Sequence, residues 1–364
     1  ENLQFDQAQA VMNEAKTIVE NMPETDRSLQ LRHVIGHGSF VLAARLGDFD
    51  YASAMLDWGE TAIPNSNRQL KLMFEVSRAK VSACRARPAD ALRHCKSALN
   101  NIFLDSNPLN ASVLFEHIAT AHLSAGEINQ AIAAARRSLI YAQTSRVEHA
   151  LSAAVSTLVN ALIASDAVND ADDALKDVAA TLEKSASPRA MASIESARAI
   201  IATARGLLPD AIRSYEIVET LIESEPAYVS KIRMLTALAK MAKGDRSAAS
   251  AIFQSLPPDN AYPGWTEYIV RHRCFRALIK AFDGDETGAI RDVSDALELF
   301  FTGGAPGDAA ETIWIMLSTI GSQPENEILD SFSHALYNQL SEILVSVPIP
   351  FYVRKLKEAS SSNA

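Results

Sequence analysis

Between Tyr262 and Lys280 the chain gathers groups that could hold an anion. Arg271, His272, Arg273, Arg276 and Lys280 share one helical stretch, and Arg273, Arg276 and Lys280 are spaced to fall on one face. Tyr262, Trp265 and Tyr268 come first, and Trp265, Tyr268 and His272 form a second stripe. Guanidinium forks clasp carboxylate or phosphate with two parallel hydrogen bonds, and aromatic rings give rigid contact area. Such a groove suits an acidic peptide or a small anionic effector; the competing reading of the aromatic stripe is plain core. Two further arginines have matching surroundings. Glu75-Val76-Ser77-Arg78-Ala79 and Glu195-Ser196-Ala197-Arg198-Ala199 both read E-x-x-R-A, and Arg276-Ala277 repeats the end. An i,i+3 Glu–Arg pair, worth ~0.2–0.5 kcal/mol, would explain the first two and leaves Arg276 without such a partner. The candidate ligand-binding residues are therefore Arg78, Arg198, Tyr268, His272, Arg273, Arg276 and Lys280.

Other constellations carry less chemistry. His33 and His37 stand four apart on one helix, a spacing that metals accept, but no third ligand lies nearby in sequence. Glu116, His117 and His122 do not make H-E-x-x-H, and core packing is the expected role of His122. Gly36-His37-Gly38 lacks the third glycine and the preceding strand of a phosphate-binding turn, so helix packing explains it. Neither a G-x-x-x-x-G-K-[ST] loop nor a G-x-S-x-G elbow occurs. The expectation is a protein that is not an enzyme and has no cofactor and no metal.

The balance of 34 basic and 44 acidic residues, net −10, repels phosphate backbones and argues against direct nucleic-acid binding. No apolar run approaches the ~18 residues that span a membrane. Cys84, Cys95 and Cys274 form no C-x-x-C pair, and free thiols in a reducing, cytoplasmic setting fit them best, although spacing leaves a Cys84–Cys95 bridge open. Glu1-Asn2-Leu3-Gln4-Phe5 resembles a tag remnant and is given no weight.

The elements that position these residues repeat. An alanine early in a helix recurs at Ala52, Ala91, Ala131, Ala171, Ala211, Ala249 and Ala289, at spacings of 39, 40, 40, 40, 38 and 40. Twelve residues before each stand Phe40, Ala79, Ala119, Val159, Ala199, Ala237 and Ala277, mostly small, so both sides of a helix–helix contact are trimmed for close approach. A fixed period of this length marks a solenoid of stacked helix pairs. Phe5–Met22 reads as a helix with Val11, Ala15, Ile18 and Val19 inward. Leu31–Leu46 and Tyr51–Ile63 then make the first pair, with Pro64 as its stop. Thr302–Gly307 breaks the array, Asp308 could cap a helix through Ile320, and helices over Glu325–Val345 and Phe351–Ala359 follow. Trp58 and Trp314 are expected to fill gaps between helices.

Gly47-Asp48-Phe49-x-x-Ala52-x-x-x-Leu56-x-x-Gly59, followed by Pro64, resembles the second half of a tetratricopeptide repeat (TPR). The register returns at Gly126 with Ala131, Gly206 with Ala211, Gly244 with Ala249 and Gly284 with Ala289; Pro88 and Asp166 depart from it. The resemblance implies an all-α, right-handed superhelical solenoid of about seven to eight helix-turn-helix repeats with helical caps. Its first helices would line a concave binding face. Residues 1–30 would be a tail and capping helix, 31–302 seven repeats, and 303–364 an atypical eighth repeat, closing helix and tail. The forty-residue unit and the closing Phe351-Tyr352-Val353-Arg354-Lys355-Leu356 are also similar to the MalT-like sensor domains of bacterial LuxR-type regulators. The expected function is a binding and regulatory module for a peptide, protein or small anionic effector in bacterial signalling. The alternatives are a stand-alone assembly scaffold and a response-regulator phosphatase-like antagonist.

Overall fold

The computed structural model describes residues 2–63, 67–182, 187–223, 225–321 and 329–362. Among them are eighteen α-helices and no strand. After α1 (Asn2–Glu20), eight antiparallel pairs follow in chain order: α2 (Asp26–Leu46) with α3 (Phe49–Glu60), α4 (Arg68–Cys84) with α5 (Pro88–Leu99), α6 (Pro108–Ser124) with α7 (Ile128–Ser145), and α8 (Glu148–Ala164) with α9 (Val168–Leu182). Then come α10 (Pro188–Ala204) with α11 (Leu208–Leu221), α12 (Pro226–Ala242) with α13 (Arg246–Gln254), α14 (Thr266–Phe282) with α15 (Glu286–Gly303), and α16 (Pro306–Gly321) with α17 (Asp330–Ser346). The last helix is α18 (Pro350–Ser362). The predicted stop at Pro64 and the predicted start at Glu325 lie outside the described residues.

All seven periodic alanines have no exposed surface, and of their partners twelve residues earlier only Phe40, at 5%, exposes any. Each pair therefore meets through side chains small enough for the helices to nest, and dispersion across that contact is gained over its whole length. In the first pair Gly36 does the same: a Cβ there would lie 2.7 Å from the Gly59 Cα, which accounts for the Gly-His-Gly stretch.

The turn inside each unit needs one residue in the left-handed region, five before the alanine. Glycine supplies it at Gly47, Gly126, Gly206, Gly244 and Gly284, and Ala86 (φ 54°) and Asp166 (φ 69°) supply it in the two departing units. The geometry is thus constant even where the motif is not.

Three predicted boundaries shift. The first long helix begins at Asp26, because Thr25 and Ser28 form a reciprocal cap that extends it past Leu31. Helix α16 starts at Pro306, which puts Asp308 inside its first turn. On α1, Val19 is buried, whereas Val11 and Ile18, expected inward, are exposed.

The array coils until it meets itself. Phe49 N–H donates to the Pro263 carbonyl (2.8 Å), Gly303 packs on the Ala86 carbonyl and Gly126 on Val347, and Asp166 receives both arms of the Arg354 fork at 2.5 and 2.6 Å. The turns of units one to four are thereby seated on segments about five units further along. Contacts that cross the coil join α2 with α12, α6 with α16, α12 with α16, and α18 with α8. First helices thus line the inside and second helices lie outside. None of the described helices is long and apolar enough to cross a membrane.

Candidate functional site

The first helices α4, α12 and α14 each carry charge on two faces. With the small residue as origin and 100° per residue, positions four and one before it and three after it share one face. Positions six and two before it and one and five after it share the roughly opposite one. The predicted groove residues Arg78, Arg198, Arg273, Arg276 and Lys280 occupy the first of these. Arg78 bonds Asp57 (2.7 Å) and Glu60, both on α3. Arg233 and Lys240 reach Glu219 (3.2 Å) and Glu216 (2.8 Å) on α11. Arg273 Nε lies 2.6 Å from Asp259, just after α13. This face looks into the outer furrow beside the preceding second helix.

The expected pairs are met in part. Arg198 bonds Glu195 at 2.5 Å, three residues earlier. Glu75 instead accepts from Ser97 (2.6 Å) and lies 2.7 Å from His94 Nδ1, so Arg78 turns to α3. With Glu60, Arg93, His94 and Ser97 these residues edge an open polar cleft of about 540 Å³. Lys280 sits 3.3 Å from both Asp285 and Asp292, and Arg276 is exposed with no ion pair among the described residues.

Tyr268 and His272 face neither groove. Tyr268 is 1% exposed, its hydroxyl donates to the Pro257 carbonyl (2.8 Å), and its ring packs edge-on to Tyr262 at 4.7 Å. His272 is buried against Phe253 at 4.7 Å, and burial lowers its pKa. The aromatic stripe is core: it seats the start of α14 on α13 and, through Trp265 and Phe49, on the first unit. His122, expected in the core, pairs with Glu127 at 2.5 Å. Trp58 stands between Lys16 and Arg32, and Trp314 packs on Phe351 of α18. All three cysteines are free.

The opposite face lines the inside, and it is charged as well. Lys231, Arg271 and Glu311 hold equivalent positions forty residues apart. Lys231 Nζ lies 2.8 Å from Glu267, Glu267 lies 3.4 Å from Arg271, and Arg271 bonds Glu311. The result is a ladder of alternating charge across α12, α14 and α16. Burial works against the Glu267 carboxylate, yet Lys231 and Arg271 hold its pKa at about 2. Asp308, one turn from Glu311, accepts from Ser124 of α6 (3.1 Å). Burial, reinforced by Glu267 and Glu311, raises its pKa to about 7.

Further round the inside the charges are not matched. Lys80 on α4 and Glu116 and His117 on α6 have no hydrogen-bond or ion-pair partner among the described residues. Burial raises the Glu116 pKa to about 7 against the pull of Lys80 and Arg189. Burial, with Lys80 adding to it, lowers His117 to about 4. Cys84, one turn beyond Lys80, feels Lys80, Lys231 and Glu267 together, which places the two groups of charges on one interior; burial pushes its thiol up to about 12. Among the described residues no group of His, Cys, Asp and Glu is arranged to hold a metal.

No family model matches the chain, and no curated protein matches it in sequence. Solved structures do match it in shape. A Rap protein complexed with competence and sporulation factor superposes with a TM-score of 0.68 at 14% identity, covering 93% of this chain and 94% of that one. The Rap conjugation gene regulator of plasmid pLS20, in complex with the Phr* peptide, gives 0.60 at 11% identity, with 94% and 97% covered. The fold is similar to that of the Rap proteins. Because the Rap likeness spans nearly all of each chain, it describes the coil as a whole and not one repeated unit.

Proposed function

We propose that the chain is a non-enzymatic regulatory module of bacterial signalling that binds a peptide on the inner wall of its coil and passes the event on to a partner protein. The observation that carries this reading is the unmatched polar set on the inside, Lys80, Glu116 and His117, within a coil built like a Rap protein that holds a peptide. Charged groups left without partners in a partly desolvated place weaken a fold, and a ligand that supplies the partners recovers that energy. The outer furrow supports the idea by contrast, since its charges are largely spent on one another.

The reading also says how binding would be transmitted. Turns of units one to four rest on units six to eight and the closing helix through a few polar seats, such as Ser124–Asp308 and Asp166–Arg354. A ligand touching α4, α6 and α12 together favours one spacing of those seats, and small shifts at each interface add along the array. The test is affinity selection of the purified protein against a random synthetic hexapeptide library, read by mass spectrometry. A sequence-biased subset retained over an unrelated helical-repeat control is expected. Retention no different from that control would overturn the proposal.

A further inference from the structure

We infer that Lys80, Glu116 and His117 form a subsite for a carboxylate carried by the ligand, either a peptide's C-terminus or an acidic side chain. The inference rests on the peptide-binding reading and names what one end of the peptide must offer. Three observations lead to it. Lys80 stands on α4 and Glu116 and His117 on α6, two first helices in contact with each other; Lys80 acts on both, and among the described residues none of the three forms a hydrogen bond or ion pair. In the ladder opposite, by contrast, each charged group already bonds at least one other, Arg271 keeping only its buried Nε without a partner among the described residues.

The third observation is the local charge. Facing Glu116 are Lys80 of α4 and Arg189 of α10, whose guanidinium lies 3.7 Å from Glu225. On the other elements packed against α6, Arg137 of α7 stacks over Phe115. Glu148 near the start of α8 is engaged with the Ser187 amide, and Asp308 of α16 meets α6 at Ser124. Two cations thus surround one carboxyl group that burial already disposes to keep its proton. A cationic ligand group would be repelled there. An incoming carboxylate instead meets the Lys80 ammonium, an N–H of neutral His117 and, with Glu116 protonated, an O–H donor. A negative ligand raises the Glu116 pKa further, so binding takes up a proton near neutral pH and tightens as the pH falls from 8 to 6.

Three hexapeptide libraries test this on the full chain: one with free termini, one amidated at the C-terminus, and one amidated and lacking Asp and Glu. Loss of retention on amidation assigns the subsite to the α-carboxylate. Loss only in the third library assigns it to an acidic side chain. Equal retention from all three overturns the inference while leaving peptide binding intact, and no retention from any overturns the reading beneath it. With one retained peptide, Lys80→Met is expected to weaken binding about tenfold. Glu116→Gln, which keeps a donor without the titration, is expected to bind at pH 8 as wild type does at pH 6. A pH dependence that survives in Glu116→Gln contradicts the assignment, and circular dichroism and unfolding confirm that both variants fold.

Discussion

Two stretches of the same inner wall treat charge in opposite ways. On α12, α14 and α16 the groups are spent on one another: Lys231, Glu267, Arg271 and Glu311 run as an unbroken chain of ion pairs, with Arg271 almost wholly buried. On α4 and α6, Lys80 acts on both Glu116 and His117, yet none of the three has a bond to a described residue. The first arrangement makes a wall rigid, since each ion is held by neighbours from adjacent units. The second leaves half-buried charged groups with no protein partner among the described residues, which is the condition for taking up a ligand. The comparison suggests that the late units form a fixed back wall and the early ones the recognising side.

The sharpest way to break the comparison is to remove the centre of the ladder. Arg271→Met leaves Glu311 and Asp308 without their cation and Glu267 with Lys231 alone, and a loss of about 3–5 kcal/mol is expected in denaturant unfolding. Lys80→Met, on the unpaired side, is expected to leave stability within about 0.5 kcal/mol. Equal losses would erase the distinction between the two walls.

Overpacking tests the scaffold that carries both. Ala131→Leu forces a larger side chain into a contact with no free space and is expected to cost at least about 1–3 kcal/mol.

The third test is pH. Asp308 and Glu116 have pKa values raised to about 7, so between their ordinary range and pH 7 the folded chain binds more protons than the unfolded one. Their contribution is full at pH 4 and is lost as the pH climbs through 7. Asp308→Asn is expected to flatten that decline and to be more stable than wild type at pH 8, as thermal unfolding across the range would show.

The smallest effect belongs to the outer furrow. Arg276→Ala removes an exposed side chain with no ion pair among the described residues and is expected to change stability by less than about 0.5 kcal/mol and peptide binding not at all, by calorimetry.

The fold was legible because close packing leaves a trace in composition: alanine at one position every forty residues has a steric cause, and all seven are buried. The site was legible only to the level of the helix. Arg271 and Arg273 stand two apart and read alike, yet on a helix they point 200° away from each other, one to the interior and one to the furrow. Which face turns inward depends on how units stack, and no residue type announces it. The positions six before and one after the small residue, where Lys231, Arg271 and Lys80 lie, would have been the signal to follow. Glu116 and His117 drew notice as possible metal ligands and lost it because H-E-x-x-H is absent; what mattered was that no described residue bonds them. The coil's closure was invisible for another reason. Asp166 and Arg354 are 188 residues apart, and neither neighbourhood hints at the other.

The claim beneath all this is that ligand lies against the first helices on the inside. A retained hexapeptide carrying a photoreactive residue, cross-linked to the full chain and mapped by mass spectrometry, tests it most directly. Cross-links on α4, α6 and α12 are predicted. Cross-links confined to α3, α5 or the Arg273–Lys280 face of α14 would contradict it.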